Sequence, residues 1–336
     1  MRLSEFDYNL PEELIAQYPL KKRDQARLMI IDRRKATIVH DRFCNLGKYL
    51  PPQCCFVLND TKVVPARLLG HREKTGGRVE IFLLKKLSDG YTYETLIRPL
   101  RKLKVGEYVV FPKSTVKAEI IDKEKRLVRF NRKAMQRHLN AIGHIPLPPY
   151  IKREDQDLDK DYYQTIFAKK AGSVASPTAG LHFTDGLLKK IKAAGHKVQH
   201  VTLHINYATF KPVEEEDITK HKIHYEDYVV SPQSWKKINS LKDKGQKVVA
   251  VGTTSCRVLE TVAQNKILEG SSNLFAYPGF KFKMTDILIT NFHLPFSTLL
   301  MLVYAFGGKE LMTKAYQEAV AQKYRFFSYG DAMMII

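Results

Sequence analysis

Three histidines, His182, His204 and His293, stand where apolar segments give way to loops, and Asp60 occupies a fourth such position. Imidazole exchanges protons near neutral pH, and a carboxylate can accept one, so this set suits proton transfer. Any one of them alone is more often a satisfied structural group. Their company argues for more. The loops Asn59-Asp-Thr61, Ser176 to Thr184, His204 to Phe210, Gly252 to Ser255 and Thr290 to Pro295 each bring a hydroxyl, amide, imidazole or glycine backbone. The stretch Ser176-Pro-Thr-Ala-Gly-Leu-His-Phe-Thr184 spends Pro, Ala and Gly on shape and carries one titratable side chain, as suits a loop closing on a ligand. Gly252-Thr-Thr-Ser255 opens a helix, whose free N–H groups and positive dipole end suit a carboxylate or phosphate, with Arg257 just beyond. Plain capping by Thr or Ser is the competing reading at even odds.

Other chemistries are excluded by what is missing. There is no Gly-x-Gly-x-x-Gly and no Gly-x-x-x-x-Gly-Lys-Ser/Thr, so dinucleotide and P-loop readings fail. His221 and His224, beside Glu226, have i, i+3 spacing but no third ligand, and Cys44, Cys54, Cys55 and Cys256 show no zinc spacing. We therefore expect no metal site and buried thiols.

These loops need elements to hold them. Thr184 caps a helix from Asp185 to Ala194, which Gly195 stops. A short helix from Pro11 to Gln17 and a hairpin of Arg27 to Asp32 with Lys35 to His40 precede the buried strand Cys55 to Asn59. Further strands are expected over 197–205, 247–251, 286–290 and 332–336, with helices over 234–244, through Ile267 after the Gly252–Ser255 opening, and over 297–306 and 309–323. Alternation of this kind predicts an α/β sheet or open barrel, whose ligands gather beyond the carboxyl ends of the strands. Between them, short alternating runs over 78–84, 91–97, 108–111, 116–121 and 127–130, separated by Gly, Asp-Gly and Lys-rich turns, predict a small antiparallel sheet or barrel. The expected organisation is a discontinuous α/β domain, 1–66 and 151–336, interrupted by a β-barrel over 67–150. In the tail Tyr324 to Tyr329, core packing is the expectation for Phe326 and Phe327, and a polar role for Tyr329.

A chain of 336 residues with 44% apolar composition buries a large core. Its formal charge is +20, from 55 Lys+Arg against 35 Asp+Glu. Such a field draws polyanions, so nucleic acid or an acidic membrane surface leads the list of partners. Residues 67–154 hold 21 Lys and Arg against 9 Asp and Glu, a balance of +12, which makes that segment the leading candidate for a grip on a phosphate backbone. The longest apolar run, Leu299 to Phe306, is far below the roughly 20 residues of a membrane span, and no apolar signal core opens the chain. A soluble, cytoplasmic monomer with no membrane partner is expected.

Taken together these stretches resemble one family closely, the S-adenosylmethionine:tRNA ribosyltransferase-isomerases of queuosine biosynthesis. The matching strings run from end to end: Phe6 to Ala16, Leu58-Asn-Asp-Thr-Lys-Val-Val-Pro-Ala-Arg67, Ile145-Pro-Leu-Pro-Pro-Tyr-Ile151, Pro177 to Thr184, Val251 to Ser255, Thr290 to Pro295, Ser297 to Val303 and Tyr324 to Met333. The resemblance implies an α/β open-barrel domain interrupted by a small antiparallel β-barrel. It also implies transfer and isomerisation of the ribosyl group of S-adenosylmethionine onto 7-aminomethyl-7-deazaguanine at the tRNA wobble position. The product is epoxyqueuosine, and adenine and methionine leave. On this resemblance S-adenosylmethionine is a ribosyl-donor substrate, no metal and no true cofactor are needed, and the tRNA is the macromolecular partner.

Under that resemblance His182 or His204 is the base, and Asp60 and His293 orient ribose or adenine. The start of the 252–255 helix (Gly252, Thr253, Thr254, Ser255), with Arg257, takes the methionine carboxylate. Thr178, Ala179, Gly180, Thr209, Phe210, Asn291 and Tyr329 complete the substrate site, and Arg67, Arg98, Lys102 and Lys104 meet anticodon-arm phosphates. The chain departs from the family pattern in two places. Asn206-Tyr207-Ala208 stands where Gly-x-Gly is usual, and Ser176 replaces the usual Ala. Two other classes compete. A non-catalytic RNA-binding protein would need aromatics interleaved with the basic β segment, where they are sparse. An RNA methyltransferase of Rossmann type would need a glycine-rich first strand loop, which is missing.

Overall fold

The computed structural model describes residues 1–133, 135–206 and 213–336. In chain order the strands are β1 (Arg27–Asp32), β2 (Thr37–Arg42), β3 (Cys55–Asn59), β4 (Thr61–Val63), β5 (Arg67–Arg72), β6 (Arg78–Lys86), β7 (Thr92–Arg98), β8 (Tyr108–Val110), β9 (Lys117–Asp122), β10 (Leu127–Phe130), β11 (Gly143–His144), β12 (Lys170–Ser173), β13 (Lys197–Leu203), β14 (Glu226–Val229), β15 (Val248–Val251), β16 (Glu269–Ser272), β17 (Ile287–Asn291) and β18 (Ala332–Ile335). The helices are α1 (Gln136–Ile142), α2 (Asp157–Tyr162), α3 (Asp185–Ala193), α4 (Pro232–Asp243), α5 (Gly252–Asn265), α6 (Thr298–Gly307) and α7 (Lys309–Ala321).

Nine strands form one mixed sheet in the order β16-β14-β13-β3-β15-β17-β18-β1-β2. Its centre, β13-β3-β15-β17, is parallel throughout, so four carboxyl ends open on the same edge. The apolar runs of β3, β15, β17 and β18 are buried along their whole length because both faces are covered. Successive residues divide between two cores. Cys55 and Val57 face the layer of α4 to α7, while Phe56 and Leu58 face α3 and the turn of 3-10 helix at Phe43–Tyr49.

The second sheet runs β5-β6-β7-β10-β9-β8 with every pairing antiparallel, and β8 returns to β5, closing a six-stranded barrel to which β11 adds an edge. This α/β sheet and small antiparallel barrel are the expected fold class. Sequence reading misses β5, because Gly70 breaks its pattern. The closure explains the glycine: a Cβ there would stand 2.7 Å from Val109 Cγ1 and from the Val110 carbonyl. It also misses β4 with β12, and β14 with the edge strand β16. The helix expected from Pro11 to Gln17 shrinks to one 3-10 turn, Glu12–Leu14. Thr184 does cap α3, its Oγ1 accepting from the Leu187 N–H at 3.2 Å. Among the described residues no helix is long and apolar enough to cross a membrane.

Candidate active site

A cleft of about 980 Å3, measured out to its open mouth, lies on the edge where the parallel strands end. Four segments wall it: residues 175–179 ahead of α3, the first turns of α5, the end of β17 with the residues that follow it to Leu299, and Phe327 with Ser328 before β18. Of the expected substrate residues, Thr178, Ala179, Gly252, Thr253, Thr254, Arg257, Asn291 and His293 line it. The other expected residues that the structure describes, Gly180, Ser255 and Tyr329, do not.

Asn291, the last residue of β17, organises one wall. Its Nδ2 faces the carbonyls of Phe327 at 3.2 Å and Asp331 at 3.3 Å, so the amide oxygen cannot occupy that side. The oxygen instead accepts from Thr178 Oγ1 at 2.9 Å, and Nδ2 also faces His182 Nε2 at 3.3 Å. His182 Nε2 is therefore an acceptor and carries no proton. Burial away from water holds this imidazole at about 4, so it is neutral at physiological pH. His182 sits behind Asn291, in a small recess shared with Arg23 and Tyr329, and not in the main cleft.

His293 is the imidazole in the cleft wall. Burial depresses it to about 3, and its Nε2 pairs with Thr290 Oγ1 at 2.8 Å. Nδ1 has no hydrogen-bond partner among the described residues. The backbone is clamped on both sides, N–H donating to Tyr316 Oη at 3.0 Å and the carbonyl accepting from Tyr8 Oη at 2.5 Å.

The Gly252-Thr-Thr-Ser255 segment is the first turn of α5 rather than a loop before it, with no side-chain cap. Gly252 has φ +87°, a left-handed conformation that costs glycine nothing and lets the strand turn directly into the helix. The first-turn N–H groups have no acceptor within their own helix. Arg257 lies further into α5, where its Nε donates to the Leu274 carbonyl at 3.2 Å and its Nη1 forms an ion pair with Glu226. Glu226 also accepts from the Asn206 N–H at 3.0 Å, which anchors the first of the residues that replace the family glycines. Sequence reading treats Glu226 only as a metal-ligand fragment and gives no signal of this pair, since β14 is itself missed.

Asp60 and His204 stand outside the cleft. Ile205 lines the cleft, and the preceding residue of an extended chain points to the opposite side. His204 Nδ1 accordingly meets Thr61 Oγ1 at 2.8 Å, and its ring packs on Gly172. Asp60 accepts from Thr202 Oγ1 at 2.6 Å. Asn59 bridges the β3 end to Leu203 through both its amide atoms. Gly180 is a packing residue: a Cβ would come within 2.8 Å of Phe167 and Thr165. Ser255 is spent on the Val251 carbonyl at 2.8 Å. Tyr329 donates to the buried Asp159 at 2.7 Å, a polar role but a structural one, since Arg153 also pairs with that carboxylate. Phe327 is buried as expected but also walls the cleft, at φ +71° and with its ring 4.2 Å from that of Tyr150. Thr209 and Phe210 lie outside the described residues, as do Tyr207 and Ala208.

A second, shallower cleft separates the barrel from the Pro146–Tyr150 segment and holds Arg67, Arg98, Lys152 and Arg153. Arg67 is already paired with Glu80 at 3.0 Å and Arg153 with Asp159. Lys102 and Lys104 are exposed and lie outside it. Among the described residues no three His, Cys, Asp or Glu side chains stand as a metal-binding group.

Parallel strand ends around a mainly apolar cleft, with a few convergent polar groups, define an α/β protein of the small-ligand-binding class. The chain belongs to the family described as queuosine biosynthesis protein, which matches residues 3–335. It is 50% identical over 337 residues, spanning all of both chains, to the S-adenosylmethionine:tRNA ribosyltransferase-isomerase of Sulfurihydrogenibium sp. (strain YO3AOP1). It is likewise 50% identical over 344 residues to the protein of that name from Thermoanaerobacter sp. (strain X514), again over the whole of both chains. The solved structure of the Thermotoga maritima S-adenosylmethionine tRNA ribosyltransferase is 38% identical and covers 99% of this chain and 100% of its own, with a TM-score of 0.58.

Proposed function

We propose that this protein is an S-adenosylmethionine:tRNA ribosyltransferase-isomerase acting on 7-aminomethyl-7-deazaguanine at the tRNA wobble position. The observation that carries this reading is the end-to-end similarity to relatives bearing that name. The sulfonium acidifies the ribose C5′–H, a base removes that proton, and adenine leaves. The neutral aminomethyl group attacks, and closure of the epoxide expels methionine, giving epoxyqueuosine.

The cleft supports a reassignment of roles. His293, neutral and with Nδ1 unengaged, is the proton acceptor best placed for the reaction. Asn291 and Thr178 hold the nucleoside end, and His182 is a positioning residue acting through Asn291. The start of α5 with Arg257 takes the methionine end. Arg67, Arg98, Lys102 and Lys104, on a basic barrel running between the two parts of the α/β sheet, take anticodon-arm phosphates. His204 and Asp60, by their placement, support the β3–β13 edge rather than the chemistry.

The test is incubation with S-adenosylmethionine and tRNA bearing 7-aminomethyl-7-deazaguanine, followed by nucleoside mass analysis. Epoxyqueuosine with free adenine and methionine is the expected outcome. S-adenosylhomocysteine would mean methyl transfer, and absence of any product would mean binding alone.

A further inference from the structure

The barrel wall of the second cleft carries an apolar strip on its outer face. On β6 and β7 the pair Ile81 and Ile97 points into the barrel. The pairs on either side, Glu80 with Arg98 and Phe82 with Leu96, point out and line the cleft. Antiparallel sheets normally turn polar residues outward, so the Phe82–Leu96 pair is out of pattern. The opposite wall is the turn Pro148–Ile151, closed by the Ile151 N–H on the Pro148 carbonyl at 3.0 Å, with Leu147 ahead of it. The two apolar walls do not close on each other. About 1000 Å3 stands open between them, measured out to the mouth, which is ample for one nucleotide.

The cations of this cleft narrow the occupant. Arg67 is held by Glu80, Arg153 by Asp159 and Lys152 by Glu12, so three of the four are balanced by a carboxylate. Arg98, exposed at the end of β7, has no ion pair among the described residues. One free cation beside an apolar slot suits an uncharged ring that carries a single phosphate, and not a run of phosphates. Position narrows it further. Tyr150 lines the main cleft while its neighbours Pro149 and Ile151 line the second, so one turn of chain stands between the two. Gln17 pins that turn, Nε2 donating to the Tyr150 carbonyl at 3.0 Å and Oε1 accepting from the Lys152 N–H at 2.8 Å. Tyr150 Oη also pairs with Ser328 Oγ at 2.6 Å, so the partition is fixed. An RNA strand that sends one base into the main cleft must unstack it from its neighbour. Holding the neighbour's base between apolar side chains offsets part of that cost.

We infer that the second cleft seats the unpaired base of the nucleotide next to the one modified. The base lies between Phe82 and Leu96 on the barrel and Leu147 to Pro149 on the turn, with its phosphate on Arg98. The inference rests on the function proposed above and adds a second base to what the protein reads.

The test uses the full chain and a hairpin RNA of the anticodon arm with 7-aminomethyl-7-deazaguanine at the wobble position. Two further hairpins lack only the base of the nucleotide before it or of the one after it. Affinity is read by fluorescence anisotropy without S-adenosylmethionine, independently of turnover. Removing the base on one side should weaken binding to the unaltered protein by at least about fivefold. Leu96→Ala and Leu147→Ala should each weaken the intact hairpin by about three- to tenfold and leave the affinity for that base-free hairpin unchanged. Arg98→Ala should weaken both hairpins alike, because the phosphate remains in each. Equal binding of all three hairpins by the unaltered protein overturns the seat. So do losses in the two leucine variants that are the same with and without the base. Adding S-adenosylmethionine to the same samples separates the two ideas. Base dependence without any epoxyqueuosine leaves the seat standing and removes the proposed reaction, and epoxyqueuosine without base dependence does the reverse.

Discussion

Asn291 Nδ2 faces His182 Nε2 across 3.3 Å, and the two carbonyls beside that amide fix its direction. The pair makes His182 a support for Asn291. His182→Ala should lower turnover by on the order of 10² while tRNA binding stays intact. Because His182 is held at about 4, its removal should not change the shape of the rate profile between pH 6 and 8, about two units above its titration. His182→Gln offers the amide a new acceptor and should recover part of the loss. Turnover of His182→Ala near that of the parent would remove this residue from the machinery, and a shifted profile would return it to the role of base.

The two buried imidazoles also set an acid limit. His182 lies at about 4 and His293 at about 3, against an ordinary 6.5, both because burial disfavours the charged ring. Between about pH 6.5 and pH 4 the unfolded chain holds protons that the native protein lacks, so native stability falls as pH falls through that window. Above it these rings add no slope. The combined loss is several kcal/mol at about 1.4 kcal/mol per unit for each group. Urea midpoints measured from neutral pH down to about pH 4.5 should fall steadily, and His293→Gln should flatten the trend. A midpoint that holds constant over that range would show that the native rings protonate freely.

Glu226 and Arg257 form a buried pair, 2% and 5% exposed at the side chain. Removing one member strands the other's charge in a poorly hydrated place, which costs about 3–5 kcal/mol. Glu226→Ala should therefore destabilise the protein by that amount, and Glu226→Gln by less, since an amide oxygen can still accept from the Asn206 N–H. Chemical denaturation decides. A loss under about 1 kcal/mol would mean that water reaches the guanidinium.

What the sequence discloses of this molecule follows from how local each determinant is. Residues 55–58 are an unbroken apolar run, so β3 is legible as a buried strand, and Thr184 announces α3 through a cap made within four residues. The strand-end loops could be named, because in a parallel sheet they must share an edge. Which side chains then face inward turns on single-residue phase. Ile205 points into the cleft and His204 away, and nothing in the string Leu-His-Ile-Asn says which. The Arg257–Glu226 contact joins positions 31 residues apart through β14, Glu-Asp-Tyr-Val, whose two adjacent carboxylates do not read as a strand.

Barrel closure depends on one missing side chain. At Gly70 an added Cβ would press on Val109 Cγ1 and on the Val110 carbonyl, and the second is backbone that can move only by parting β5 from β8. Gly70→Ala should cost about 1–3 kcal/mol, in the range of an overpacked core site. Amide exchange should quicken at His71, Arg72, Val109 and Val110, the residues paired across the seam, and stay slow in β3 and β15. Unchanged protection at the seam would show that the two strands separate without cost.

The basic barrel offers a last prediction, in which exposure and pairing rank the cations. Arg98, Lys102 and Lys104 are exposed and their charged ends are free of ion pairs among the described residues, whereas Arg67 is held by Glu80. Each exposed cation that meets a phosphate releases a condensed counterion, so its loss should reduce the slope of log K against log salt by about 0.7–0.9. Arg98→Ala, Lys102→Ala and Lys104→Ala should each show that reduction in tRNA binding, with the turnover of bound substrate preserved. Arg67→Ala should do less, because it removes a charge already balanced and leaves Glu80 to repel the backbone. Four unaltered salt slopes would move the RNA contact off this face of the barrel.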